Sequence, residues 1–186
     1  DQLSDGGGAA LAAELGAPSA DHLAHASPAG IAAMAAAGTV AVSLPFATLY
    51  LREPPMPARA FIDAGVPVAV ATDFNPGSAP SYHLPVAMTL ACTMQRMTPA
   101  EVPTGGTLYA AGASGMEREV GSPAPGKRPD FAGLDALQLR TDQRHRRLTT
   151  EAVAHPLFEA GFGLRRQRRS GHGALRQSSA TRYRVD

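Results

Sequence analysis

Apolar residues along this chain fall into short blocks of two kinds. Thr39-Val40-Ala41-Val42-Ser43-Leu44-Pro45 and Val66-Pro67-Val68-Ala69-Val70-Ala71 are continuous, β-branched runs closed by turn residues. That pattern predicts strands buried on both faces, as in a parallel sheet. Pro18 to Leu23 reads as a very short strand or strand end. The other blocks are helical. Ala9 to Leu15 is alanine-rich and stops at Gly16. Ser27 is placed to cap a helix with Pro28 at its first position, running through Met34 to Ala37 and ending at Gly38. Ala58 to Ala64 is a short helix with Gly65 as its stop. Leu84 to Met97 is apolar around most of its surface, and Thr98-Pro99-Ala100-Glu101 is a capping box that opens a further helix. Phe46 to Pro57, with three prolines near its end, reads as an irregular loop on the strand-end face.

Strand and helix alternate at the spacing of βα units, and three or four such units fit before residue 115. The predicted fold class is α/β: about half of a (β/α)8 barrel over residues 1–120. A half barrel leaves open strand edges. Either another half precedes residue 1 or the chain pairs with a second copy. From Gly121 the pattern changes, and Gly126 to Ala132 reads as a turn leading into a short strand. After Leu137 the periodicity fades, and residues 137–186 are expected to be disordered.

Charge sharpens that division. The net charge is +1, but residues 137–186 hold eleven Arg and no Lys against four acids, while residues 1–136 carry a net of −6. The Arg clusters at 144–147 and 165–169 favour phosphate in a general way, so a nucleic-acid-binding tail is one reading. No known nucleic-acid module accompanies them, and no specific nucleic acid is expected. No apolar run is long enough to span a membrane, no signal peptide is visible, and a lone cysteine, Cys92, fits a reducing, cytoplasmic setting.

The candidate chemistry gathers at predicted strand ends, where α/β barrels place their sites. Asp73 stands where the strand Val66–Ala71 gives way to Phe74-Asn75-Pro76-Gly77-Ser78. An Asp there can hold a divalent metal and accept a proton from its water, or simply cap a turn. His22 stands at the end of the short strand, where an imidazole can bind metal, shuttle a proton or serve as a hydrogen-bonded structural group. Gln2 and Asn75 can donate to a carbonyl or carboxylate. Gly77 allows close backbone approach, so its amide and that of Ser78 could take an anionic group. His25 reads as a surface loop residue and His83 as a helix N-terminal residue near solvent.

Several of these segments carry a resemblance. Asp1-Gln2-Leu3-Ser4, Ser19-Ala20-Asp21-His22-Leu23, Gly30 to Ala35, Leu51-Arg52-Glu53 and, most specifically, Ala71 to Ser78 resemble the C-terminal half of the imidazolonepropionases of the amidohydrolase superfamily. A weaker match lies at Gly126 to Phe131, and nothing after Leu137 resembles the family. The resemblance implies a metal-dependent TIM-like barrel, with residues 121–136 as the remnant of a small composite β-sandwich. It implies hydrolysis of 4-imidazolone-5-propanoate to N-formimino-L-glutamate, with one divalent metal, zinc or iron, and a homodimer. It makes Asp73 the last-strand metal ligand and proton acceptor, His22 the catalytic histidine, and Gln2, Asn75, Gly77 and Ser78 the substrate-binding residues. The family's other metal histidines would lie upstream of Asp1, so the chain alone is expected to be inactive and not to retain the metal. A noncatalytic homologue is the remaining reading.

Overall fold

The structure is a computed structural model that describes residues 1–128. The strand expected near residue 130, the second half of the expected β-sandwich remnant (129–136) and the Arg-rich tail lie outside the described residues.

Three strands form a parallel sheet in the order β1-β2-β3: β1 Ser19–Asp21, β2 Val40–Ser43 and β3 Val68–Val70. Helices separate them, as parallel strands require. α1 (Gly8–Glu14) precedes β1; α2 (Pro28–Ala37) joins β1 to β2; α3 (Pro45–Leu51) and α4 (Ala58–Asp63) join β2 to β3. α5 (Leu84–Gln95) follows, then α6 (Glu101–Thr104), a π-helical turn at Gly105–Tyr109 and α7 (Ala110–Ala113).

The α2 boundaries follow local chemistry. The Ser27 hydroxyl accepts from the Gly30 amide at 3.3 Å, Pro28 opens the helix, and Gly38 closes it with φ 73°. α3 is a departure from the expected loop. Pro45 does not merely stop β2; it takes the first position of a new helix, where its missing N–H costs nothing and its φ is already helical.

Register places Ala41 beside Val68 and Val42 beside Ala69. Ala41, Val68 and Val70 share a core with Met34 of α2, Phe61 of α4, and Ala91 and Cys92 of α5. Phe61, Leu23 and Met34 are fully buried there, each contributing about 1.5–3 kcal/mol of transfer free energy. Val40, Val42 and Ala69 face the other way and meet Tyr109, Ala110 and Ala113. The chain reaches that second face by passing β3 at Gly105. β2 takes the Pro67 carbonyl and the Ala71 amide, so Val68 O and Val70 N point to the outer edge of β3. A Cβ on Gly105 would stand 2.8 Å from Val68 O, so only glycine permits this approach. Part of the expected open edge is thereby shielded.

The capping box forms as read: Thr98 N donates to Glu101 Oε2 at 2.7 Å and Glu101 N to Thr98 Oγ1 at 3.3 Å. Arg59 of α4 completes it with a two-pronged bond to Glu101, at 3.2 and 3.0 Å, and a 3.0 Å bond to Asp63. Partial burial pushes the Glu101 carboxyl up, but the Arg59 guanidinium and the Thr98 bonds outweigh it and hold the group below its ordinary 4.5. A lowered folded-state value means stability that is present above the unfolded value and lost as pH falls through the folded one. The chain is therefore expected to be more stable than its Glu101→Gln variant at pH 7, by under about 1 kcal/mol for so accessible a pair. The gap should close below about pH 4.5. Urea unfolding of both proteins across pH 3–7 checks this; a gap independent of pH would remove the ionised pair from the account.

Candidate active site at the carboxyl ends of the strands

β1 and β3 are not neighbours; β2 lies between them. Two strand spacings separate their ends by about 10 Å. His22 and Asp73 nevertheless bring their side chains to 3.9 Å, His22 Nε2 to Asp73 Oδ2, over the end of β2. This is ion-pair range and longer than a hydrogen bond. Both side chains are partly accessible, at 33% and 25%, so a small molecule can reach them.

Their backbones explain the convergence. Among the described residues, four non-glycine residues have positive φ: His22 (56°), Arg52 (57°), Asp73 (52°) and Arg96 (59°). Arg52 and Arg96 are the C-caps of α3 and α5, an ordinary place for the left-handed conformation. His22 and Asp73 have no helix to end. His22 directly follows β1 and Asp73 stands three residues past β3, each in the left-handed conformation. Left-handed residues facing each other at two strand ends make this rim the candidate site.

Asp73 is followed by a loop closed on itself. Asn75 and Ala79 form an antiparallel bridge, with Asn75 N to Ala79 O at 3.1 Å. The Asn75 side-chain oxygen accepts from Gly77 N at 2.9 Å and Ser78 N at 2.8 Å, while Nδ2 donates to the Asp73 carbonyl at 2.7 Å. The two amides fix which end of the side-chain amide is oxygen. The Ser78 hydroxyl lies 3.2 Å from both ends of the Asn75 amide. Phe74 and Tyr82 stack edge to face at 5.6 Å and are exposed beside this loop.

Gln2 stands in no strand; it lies in the segment before α1. Its position is set by Asp1, whose carboxylate accepts from the amides of Gly6, Gly8 and Ala9 at 2.8–2.9 Å and whose carbonyl accepts from His25 N at 2.9 Å. A cavity at this rim is lined by Gln2 and His22 together with Leu44, Thr48 and Glu53. Thr48 and Glu53 carry no role in the sequence reading because α3, which brings them here, was not expected. His25 is half-buried, and His83 is exposed at the start of α5. Among the described residues, no group of three or more His, Cys, Asp or Glu is arranged to hold a metal ion. No helix of the described residues is long and apolar enough to cross a membrane.

A parallel sheet with polar side chains gathered at its carboxyl rim is consistent with part of an α/β barrel, which places its site at that face. The amidohydrolase family profile matches residues 7–159, and the chain belongs to the amidohydrolase family. Within it, the chain is similar to the imidazolonepropionase of Shouchella clausii, 50% identical over 143 residues, 77% of this chain and 32% of that protein. It is similar to the imidazolonepropionase of Ralstonia nicotianae, 54% identical over 133 residues, 71% of this chain and 33% of that one. The chain thus spans about a third of the length of the curated relatives it matches. Among solved structures, it resembles a zinc-bound adenosine deaminase of Xanthomonas campestris, with TM-score 0.59 and 24% identity over 76% of this chain and 32% of that one. It also resembles the guanine deaminase of E. coli, with TM-score 0.55 and 19% identity over 61% of this chain and 27% of that one. These two likenesses concern the fold.

Proposed function

We propose that this chain is the C-terminal part of an imidazolonepropionase, a cytoplasmic, homodimeric hydrolase that opens 4-imidazolone-5-propanoate to N-formimino-L-glutamate. The observation that carries the reading is the approach of His22 to Asp73 across β2, in a chain about half identical to proteins of that name. In this reading residues 1–120 supply the last strands of the barrel and residues 121–136 part of a β-sandwich.

The roles are those the resemblance implies, and the chemistry of the groups suits them. Water adds to the ring carbonyl carbon, and the ring C–N bond breaks. Asp73 takes a proton from that water and passes it to the departing nitrogen. His22 donates a hydrogen bond or proton to the carbonyl oxygen as it gains charge. Gln2, from its place in the cavity beside His22, holds the ring; the resemblance gives the propionate end to the Asn75–Gly77–Ser78 loop, although the Gly77 and Ser78 amides expected to take it are bonded to Asn75 Oδ1. The resemblance implies a divalent metal, zinc or iron, which acts as a Lewis acid when bound. Asp73 is the one ligand the resemblance assigns here, and a single carboxylate does not hold zinc or iron; among the described residues no group of three or more His, Cys, Asp or Glu is arranged around it. The resemblance implies further ligand histidines beyond the described residues of this chain.

The test is an assay of the full-length protein, meaning one of the relatives' length that contains these residues. N-formimino-L-glutamate should form from imidazolone propionate, while the 186-residue chain alone should form none. A full-length protein that leaves this substrate untouched would overturn the reading.

A further inference from the structure

We infer that Glu53 is a further catalytic residue: its carboxylate receives the N–C–N unit of the ring as the ring opens, and balances the positive charge that this unit gains. The inference rests on the substrate proposed above and deepens it. Glu53 lines the cavity that Gln2, His22 and Thr48 also line. The end of α3 puts it there. Arg52 is left-handed at φ 57°, its amide donates to Leu49 O at 3.4 Å, and Glu53 N donates to Thr48 O at 3.1 Å. These bonds close the helix and reverse the chain. Arg52 is left exposed, and the residue after the reversal meets the cavity. The wall beside it is apolar, built from Val42, Leu44 and Ala47. Glu53 is half-buried, and among the described residues its carboxylate makes no hydrogen bond or ion pair. Its accepting capacity is open to a ligand, next to low-dielectric surface that strengthens charge-assisted bonds.

The proposed reaction creates the group that fits. The water oxygen bonds the ring carbonyl carbon, the bond from that carbon to nitrogen breaks, and the new carboxyl group gives up its proton. The freed nitrogen stays joined through one carbon to the second ring nitrogen, and this amidine takes the proton. A neutral ring thus becomes a carboxylate and an amidinium, with no co-reactant. An amidinium, like a guanidinium, offers a carboxylate two parallel N–H donors. Its charge appears only as the ring opens, so the contact strengthens along the reaction and lowers the barrier rather than merely holding substrate.

Two ligands that differ in this charge test it: N-formimino-L-glutamate, which carries the amidinium, and N-formyl-L-glutamate, a neutral amide of nearly the same shape. By titration calorimetry, the full-length wild-type protein is expected to bind the first about 10–100-fold more tightly, the range of a hydrogen bond to a charged group. Glu53→Gln keeps the size and one acceptor but not the charge. It should cut that preference to within about threefold and lower kcat about 10–100-fold, with KM changed far less. Glu53→Asp, which keeps the charge, should retain part of the preference. A preference that survives Glu53→Gln overturns the inference, and so does a wild-type protein that binds the two ligands equally or binds neither. Turnover of imidazolone propionate with a preference independent of Glu53 defeats the inference alone. A protein that leaves imidazolone propionate untouched, yet prefers the amidine only when Glu53 is present, defeats the functional proposal alone.

Discussion

In the full-length protein, Asp73→Asn is expected to lower kcat/KM on imidazolone propionate by about 10³-fold or more, with folding stability within about 1 kcal/mol of wild type. The substitution is chosen for the backbone. Position 73 is left-handed, and Asn is one of the few residues that enters that region readily. Its carbonyl remains free to accept from Asn75 Nδ2. What disappears is the negative charge and the capacity to take a proton. The lost contact with His22 is long and partly exposed, so it contributes little to folding. Stability and activity therefore separate. Steady-state kinetics alongside thermal unfolding checks this. Activity retained within tenfold, in a folded protein, would reduce Asp73 to a turn residue that happens to end a strand.

Some of this was legible from the chain alone, and the boundary is instructive. α2 could be read to the residue because each end carries its own chemistry: a serine hydroxyl for the first amides and a glycine for the left-handed close. The Thr98–Glu101 capping box was legible for the same reason. α3 was not, since Pro45 after an apolar strand signals a stop and a helix start equally well. Missing α3 meant missing Thr48 and Glu53 at the cavity. Gln2 was expected at a strand end but stands in the segment before α1, held there by Asp1. That is a tertiary arrangement with no local pattern. The site was legible as positions, not as geometry. A β-branched run ending at Asp73 shows where the acid lies along the chain. The 3.9 Å approach to His22 depends on two left-handed residues separated by 51 positions. Asn75 shows the same limit: nothing in Asp-Phe-Asn-Pro-Gly-Ser shows that its side chain bonds the Asp73 carbonyl and the Gly77 and Ser78 amides of its own loop.

The second large effect is expected at His22. His22→Asn in the full-length protein should lower kcat about 10²–10⁴-fold, the range for removing a positioned acid or base, with KM changed far less. Asn again suits the left-handed backbone, φ 56°. His22→Ala should cost about 1–2 kcal/mol of stability that His22→Asn does not. The informative protein is the double variant. If Asp73 and His22 serve one proton-transfer sequence, removing either disables it, and the second loss adds little. The double variant is then expected to fall within about tenfold of Asp73→Asn alone, where independent contributions would multiply. Full multiplication would mean that the two side chains meet at 3.9 Å without sharing a step. The approach across β2 would then owe its geometry to packing at the strand ends rather than to the chemistry.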